Sequence, residues 1–371
     1  MQIVHRIIAL VIKEFLALLK DKKSRTTIIV PPLVQLIVFG YAATFDLNHV
    51  KFAVFDEDNG FASRQLLHEF AGSKTFELVA NLHDNIRVSE IIDNRKALLV
   101  LHIEELCTEH LLSGKPCSVQ VLIDGRNSNT AMLALNYVRE IITGFNTEWL
   151  KNHRGQKPPA LLNMRAWFNP NLESRWFFIP GIVALLALVV TLVVTSLSVA
   201  REREAGTFDQ LLVTPFTPLG ILVGKAIPGL IIGLGEGMLI VFLAINWFKV
   251  PFQGSLWVLF IGLTVYILAV IGAGLMISSM CSTQQQGLMG AFLFLVPAVI
   301  LSGFATPIAN MPKFVQLITY LDPMRYFLVI VRRSFLEGVS AVYLWDQIWP
   351  MLAMALVTLT SAAWFFRHKL Y

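Results

Sequence analysis

The chain has 371 residues, 55% of them hydrophobic and only 15% charged, with a formal net charge of +5 and a mean hydropathy of +0.63. Soluble domains carry about 25% charged residues, so an ordinary soluble globular protein is excluded. A nucleic-acid binder is excluded as well, because the basic residues sit beside hydrophobic runs rather than on one face. Three cysteines are too few for a disulfide framework.

Residues 2–20 have helical spacing. Gln2, His5, Arg6, Lys13, Glu14 and Lys20 make a sparse polar side, and Ile3, Ile7, Ile8, Val11, Phe15, Leu18 and Leu19 a broad apolar one. This predicts an amphipathic helix along a membrane surface, with a helix packed on protein as the alternative. Its apolar run is too long for a signal-peptide core and no small-residue cleavage site follows promptly. A basic knot (Lys20, Lys22, Lys23, Arg25) closes this first segment, 1–25. A first span follows at 26–45, long enough to cross a bilayer core. Pro31 and Pro32 near its start are expected to kink it.

The character changes over 46–170. Lys51–Asp56, Thr75–Ala80, Ala97–His102 and Ser118–Asp124 read as strands. Phe61–Phe70, Ile86–Asn94, Ile103–Leu112 and Asn129–Leu150 read as helices between and after them. Strands alternating with helices predict a folded α/β domain.

Residues 171–371 return to membrane character. Spans are expected at Phe177–Val199, Leu219–Trp247, Leu256–Met280, Leu288–Phe304 and Ile348–Phe366. Pro307, Pro312 and Pro323 divide 305–340 into pieces too short to span, which predicts a re-entrant or interfacial region. The fold class is therefore a polytopic α-helical membrane protein with six spans. With six spans, Lys20–Arg25, Arg201 with Arg203, and Arg367 with Lys369 fall on one side, expected to be cytoplasmic. Both termini are then cytoplasmic and the α/β domain, between spans one and two, is extracytoplasmic. Trp167, Phe168, Trp176, Phe177 and Phe178 suit an outer aromatic belt. Arg332 and Arg333 go against the charge rule and call for lipid headgroups or carboxylate partners.

The sharpest functional signal runs from Ala200 to Pro215, within a cytoplasmic segment at 201–216. A charged turn, Arg201 to Glu204, leads through Gly206 and Thr207 into a short helix with Phe208, Leu211 and Leu212 on one face, closed by Pro215 and Pro218. Such a helix suits a groove on a partner; an ordinary interfacial connector is the alternative. The Glu-x-Gly-Thr step, the Leu-Leu pair and the proline resemble the coupling-helix signature of ABC transporter type-2 permeases. Asp56–Gly60, Asp124–Asn129, Asn169–Leu172 and Cys281–Gln286 resemble, in the same order, the YbhR-type permeases of bacterial multidrug exporters. The resemblance covers essentially the whole chain. It implies an amphipathic entry helix, six spans, a large external loop, and an assembly of two permeases with two ATPases. It also carries the ATPase-coupling role to Glu204, Gly206, Thr207, Leu211 and Pro215, beside the apolar face of Phe208, Leu211 and Leu212.

No nucleotide site is expected in this chain. Gly72-Ser73-Lys74-Thr75 lacks the order and the earlier glycine of a phosphate loop, so ATP and its magnesium belong to partner subunits. Glu236, between Gly235 and Gly237, is an acid near the middle of a span. It is a candidate for the translocation path, against a hydrogen-bonded glutamate at a close helix contact with Gln35 as a possible partner. His102, Glu105, Cys107, Glu109 and His110 match no standard metal spacing. A Cys107–Cys117 disulfide suits an oxidising compartment. Asp124-Gly125 reads as a turn with Asn127 or Ser128 as helix cap. No Ser-His-Asp or Cys-His arrangement stands out.

The reading is a permease subunit of an ATP-binding-cassette exporter in a bacterial inner membrane, expelling amphipathic drug-like or lipid-like solutes. Its partners are ABC ATPases, a second permease copy or sister chain, and the bilayer, not nucleic acid. The alternatives are an ion- or proton-coupled secondary transporter, which calls for a relay of buried ionisable groups, and a membrane-anchored ligand-binding receptor, which needs one span.

Overall fold

The computed structural model describes residues 2–20, 22–42, 47, 49–154, 167–170, 173–208 and 218–368. The chain forms two compact units, Met1–Thr44 with Ala166–Tyr371, and Phe45–Arg165.

The second unit is the α/β domain. Its strands are β1 (Val50–Asp56), β2 (Phe76–Leu82), β3 (Leu99–Ile103) and β4 (Val119–Ile123), in the order β2-β1-β3-β4. β1 pairs parallel with β2 and β3, and β4 closes the edge antiparallel to β3. The central strand is apolar on both faces because both are covered. Phe52 and Val54 share one core with Leu66, Phe70, Val138 and Trp149. Ala53 and Phe55 share the other with Val88 and Ile91. The helices between the strands are α3 (Phe61–Gly72), α4 (Asn85–Asp93) and α5 (Cys107–Ser113), and α6 (Ser128–Arg154) follows β4. The expected helix at Ile103–Leu112 starts later. Ile103 stays in the sheet, and Leu106 takes the left-handed conformation, φ 64°, just before α5.

The first unit is helical. Helices α1 (Gln2–Lys20) and α2 (Lys22–Ala42) precede the α/β domain in sequence. Helices α7 (Ser174–Glu204), α8 (Pro218–Asn246), α9 (Leu256–Met280) and α10 (Gln284–Leu301) follow it. Short α11 (Lys313–Ile318) and α12 (Pro323–Leu336) come next, and α13 (Trp345–His368) is last. Among the described residues, α7, α8, α9, α10 and α13 are long and apolar enough to cross a membrane.

Among the described residues of α2, within the expected first span, the apolar stretch is Ile29–Tyr41. The helix runs unbroken through Pro31 and Pro32. Three other spans begin three or four residues earlier than hydropathy suggests, α7 at Ser174 among them. α10 starts at Gln284 because the Thr283 side chain caps it, accepting from the Gln286 N–H at 3.3 Å. α13 starts at Trp345.

α7 and α9 are the middle of the bundle. Ile179, Ile182, Leu186, Leu259, Leu263 and Tyr266 are fully buried, which is why neither helix shows an amphipathic stripe. On α8, Gly229, Gly233 and Gly237 recur every four residues. Their missing side chains bring its backbone against Thr195, Thr191 and Leu263 of those two helices.

α11 and α12 meet at a bend of 82°. Asp322 makes the bend, its Oδ1 accepting from the Met324 N–H at 2.9 Å ahead of Pro323. Phe304, before the pair, packs its ring against Gly181 near the start of α7. At the far end of the pair, Gly254 and Gln253, before α9, donate N–H to Ser334 and Phe335 carbonyls at 2.8 and 3.1 Å. The starts of α7 and α9 share one end of the bundle, so 305–340 leaves and returns there. At that end Tyr41 also accepts from Trp247 Nε1 at 2.9 Å.

Candidate functional site

The opposite end of the bundle gathers the exit of α7 at 205–208, the α9–α10 connection, α1 and the last turns of α13. α7 stops in a Schellman arrangement. Gly206 takes φ +67°, its N–H donates to Arg203 O at 3.1 Å, and the Thr207 N–H donates to Glu202 O at 3.0 Å. Among the described residues nothing lies within 4 Å of where a Gly206 side chain would stand, and the left-handed backbone asks for glycine there.

Arg201 to Glu204, expected as a charged turn, are the last turn of α7, and their charges are used internally. Glu204 Oε2 accepts from the Gln284 N–H at 2.7 Å, placing a carboxylate at the N-terminus of α10. Arg203 donates to the carbonyls of Ser279 and Cys281 at 2.8 and 3.1 Å. Its guanidinium also lies 4.9 Å from the Phe208 ring centroid. The Ser278 hydroxyl accepts from the Val199 and Ala200 N–H groups. The two connections are thereby tied together.

Phe208 corrects an expectation. It is buried, in a cluster with Leu10 of α1, Val199, Ile221 and Phe366. Its own chain covers it, so it anchors the exit of the connection rather than offering a free face. Leu211, Leu212 and Pro215 lie outside the described residues.

Beside this exit lies a buried charge network. Lys225 of α8 has its Nζ 2.9 Å from Glu14 Oε1 and 3.2 Å from the Ser198 carbonyl, donating to both. It stands 2.7 Å from Glu202 Oε2 as an ion pair without hydrogen-bond alignment. Lys13 donates to Glu202 Oε1 at 2.6 Å. Glu14, assigned by spacing to the polar side of α1, is buried. It turns inward because Lys225 waits there. One sequence signal for the network existed: Lys225 is a lone cation in the apolar start of α8, and such a charge needs a partner.

Glu236 sits farther along α8. Both its carboxylate oxygens are buried and have no hydrogen-bond partner among the described residues, so Gln35 is not paired with it. Of its flanking glycines, among the described residues only Gly237 makes a close contact, on Leu263, and nothing lies within 4 Å of a Gly235 side-chain position. Arg333 has a carboxylate partner, Glu337, at 3.5 Å. Arg332 instead lies over the Phe177 ring, 3.9 Å from its centroid.

In the α/β domain, Cys107 and Cys117 are disulfide-bonded, Cα atoms 5.0 Å apart, joining the start of α5 to the approach to β4. His102 Nε2 lies 3.0 Å from Glu57 and His110 Nδ1 4.0 Å from Glu104. Among the described residues no three His, Cys, Asp or Glu side chains come together as metal ligands would. The Asp124 turn is locked by Arg126. The Arg126 side chain, then its backbone N–H, hold the Asp124 carboxyl down to about 2. Burial raises the Asp58 carboxyl, but hydrogen bonds from Thr108, Gly60 and Ser63 outweigh it and leave it below the usual range.

Residues 22–364 match the family described as "ABC-2 family transporter protein". The chain is 38% identical over 367 residues to "Probable multidrug ABC transporter permease YbhR" of Escherichia coli K12, covering 98% of this chain and 99% of that protein. It is 31% identical to "Probable multidrug ABC transporter permease YbhS" of the same strain, over 95% of this chain and 94% of that one. Identity to its "Inner membrane transport permease YhhJ" is 26%, over 100% and 99%. With a bundle of long apolar helices whose two connections and N-terminal helix are tied together at one end, the chain belongs to the ABC-2 transporter family, as the membrane-spanning permease subunit of an ATP-binding-cassette exporter.

Proposed function

We propose that the chain spans a bacterial inner membrane six times and, paired with a second permease, expels amphipathic drug-like or lipid-like solutes. ATP with magnesium is hydrolysed by partner ABC ATPases. The spans are α2, α7, α8, α9, α10 and α13, with α11 and α12 re-entrant. This count is supported by the return of 305–340 to the end of the bundle that it left. α2 is long enough, at ~1.5 Å per residue. The tied end is cytoplasmic, because Arg201, Arg203 and Arg367 gather there. The α/β domain is extracytoplasmic, in keeping with its disulfide. The substrate class and the inner-membrane placement lean on the names of the relatives.

Coupling runs through Glu202–Pro215. ATP-driven closure of the ATPases displaces this segment, and the spans switch toward an outward-open path in which Glu236 is exposed. The observation that carries this reading is the Schellman exit at Gly206, locked by Arg203, Glu204 and Phe208. A push on the segment is thereby delivered to α7, α9 and α10 together. Glu204, Gly206, Thr207 and Phe208 fix where the segment leaves, and Leu211 and Leu212 supply the apolar anchors closed by Pro215.

The test is Leu211→Ala with Leu212→Ala. Burying a leucine stabilises a contact by about 1.5–3 kcal/mol, so the double variant reaches the membrane but loses co-purifying ATPase and permease-stimulated hydrolysis. The control changes Asp209 and Gln210 to alanine and costs less. Full coupled hydrolysis in the Leu211/Leu212 variant would make the segment a plain connector.

A further inference from the structure

Lys225 is 2% exposed, within an apolar helix. A lone ammonium there is costly, and removing one member of a buried ion pair leaves an uncompensated charge. Lys225 and Lys13 stand against Glu14 and Glu202, and Arg201 lines the same small space as Lys225 and Glu14. The space beside them is about 10 Å³, room for at most one water.

Glu14 is the one carboxylate on α1. It lies between Leu10 and Leu18 on a single buried stripe, while Ile8, Ile12 and Leu16 are exposed. Leu10 packs on Gly224 and in the Phe208 cluster, and Leu18 on Val190 and Val194. Apolar anchors tolerate sliding and rotation. A charged one does not, because turning α1 by one residue, ~100°, carries Glu14 away from Lys225. Glu202, the other carboxylate on Lys225, belongs to the last turn of α7, where the coupling segment departs.

We propose that Glu14, Lys225 and Glu202 form a latch that makes the N-terminal helix and the root of the coupling segment move as one body during transport, with Lys225 as the positioning residue. The latch rests on the coupling role given to Glu202–Pro215. A displacement of that segment reaches α8 and α1 at the same instant as α7, so α1 reports and transmits the ATPase stroke rather than resting on the bilayer.

The test uses the full-length permease with its ATPase partner in lipid nanodiscs. Glu14→Gln breaks the buried tie of α1 to Lys225, while the half-exposed Lys13–Glu202 contact and the Lys225–Glu202 pair survive, so folding is retained. Amide exchange across residues 5–18 is expected to quicken at least tenfold, with exchange in α7 and α9 unchanged. ATPase still co-purifies, but permease-stimulated hydrolysis falls at least threefold. Lys225→Arg keeps stimulation near wild type and Lys225→Met loses it. Lys20→Gln, at an exposed position on α1, serves as control. Unchanged exchange of α1 in Glu14→Gln overturns the latch. Faster exchange with undiminished stimulation reduces it to a static anchor and overturns its part in coupling. If the wild-type permease engages no ATPase, the coupling reading fails instead, and the exchange result still decides whether the latch holds α1.

Discussion

The Phe208 ring stands edge-on to Phe366, with centroids 5.7 Å apart and planes at 79°. One residue begins the path out of α7 and the other lies in the last turns of α13, so the C-terminal helix helps hold the coupling segment's root. Buried Phe→Ala changes typically cost about 3–5 kcal/mol. Phe208→Ala and Phe366→Ala are each expected to lower the melting temperature and to speed amide exchange across 203–208. The double variant should lose less than the sum, by the ~0.5–1.5 kcal/mol an aromatic pair adds. Strict additivity would mean the rings act independently.

The Cys107–Cys117 bridge gives a chemical prediction. Peptide mapping of protein alkylated before lysis should recover the two cysteines joined, and Cys281 alkylated. Serine at both positions should destabilise the α/β domain, by roughly 3 kcal/mol for a loop of this size. Two alkylated thiols at 107 and 117 would count against an oxidising side for the domain.

Orientation is checked by single cysteines in a background lacking the native ones. An impermeant maleimide added to intact spheroplasts should label positions near Asn59 and Gly155. Positions near Gly206 and Gln285 should react only after permeabilisation. Labelling at Gly206 from outside would reverse the topology and remove the coupling role with it.

Glu236→Gln keeps the shape of a side chain whose oxygens have no partner among the described residues. Assembly and ATPase binding should be unaffected. Efflux of a cationic dye from cells, measured across a pH series, should change in rate or in pH profile if the carboxyl lines the path. Superimposable profiles would leave Glu236 as a packing residue.

Hydropathy and periodicity made much of the fold legible. Runs such as Leu256–Met280 are apolar over their whole length, and that property is local: backbone hydrogen bonds must close within the segment in a bilayer. The α/β order was legible for the same reason, since alternation in Lys51–Asp56 and helical spacing in Phe61–Phe70 depend on near neighbours. The Gly-Thr step, the Leu-Leu pair and the proline could likewise be read along the chain, but the helix end could not: the span was expected to end at Val199 ahead of a charged turn, whereas α7 runs on to Glu204.

What sequence spacing could not decide was which side chains meet. Glu14 and Lys13 looked like the wet face of a surface helix, yet Glu14 lies against Lys225, 211 residues away, and Lys13 against Glu202, 189 residues away. Phe208 looked like a free anchor until Phe366 and Leu10 covered it. Composition sets whether a charge can be left in lipid, and here it could not be. Only the packing of α1, α7 and α8 supplied the counter-charges, because burial of an ion depends on partners that the fold, not the local pattern, brings within reach.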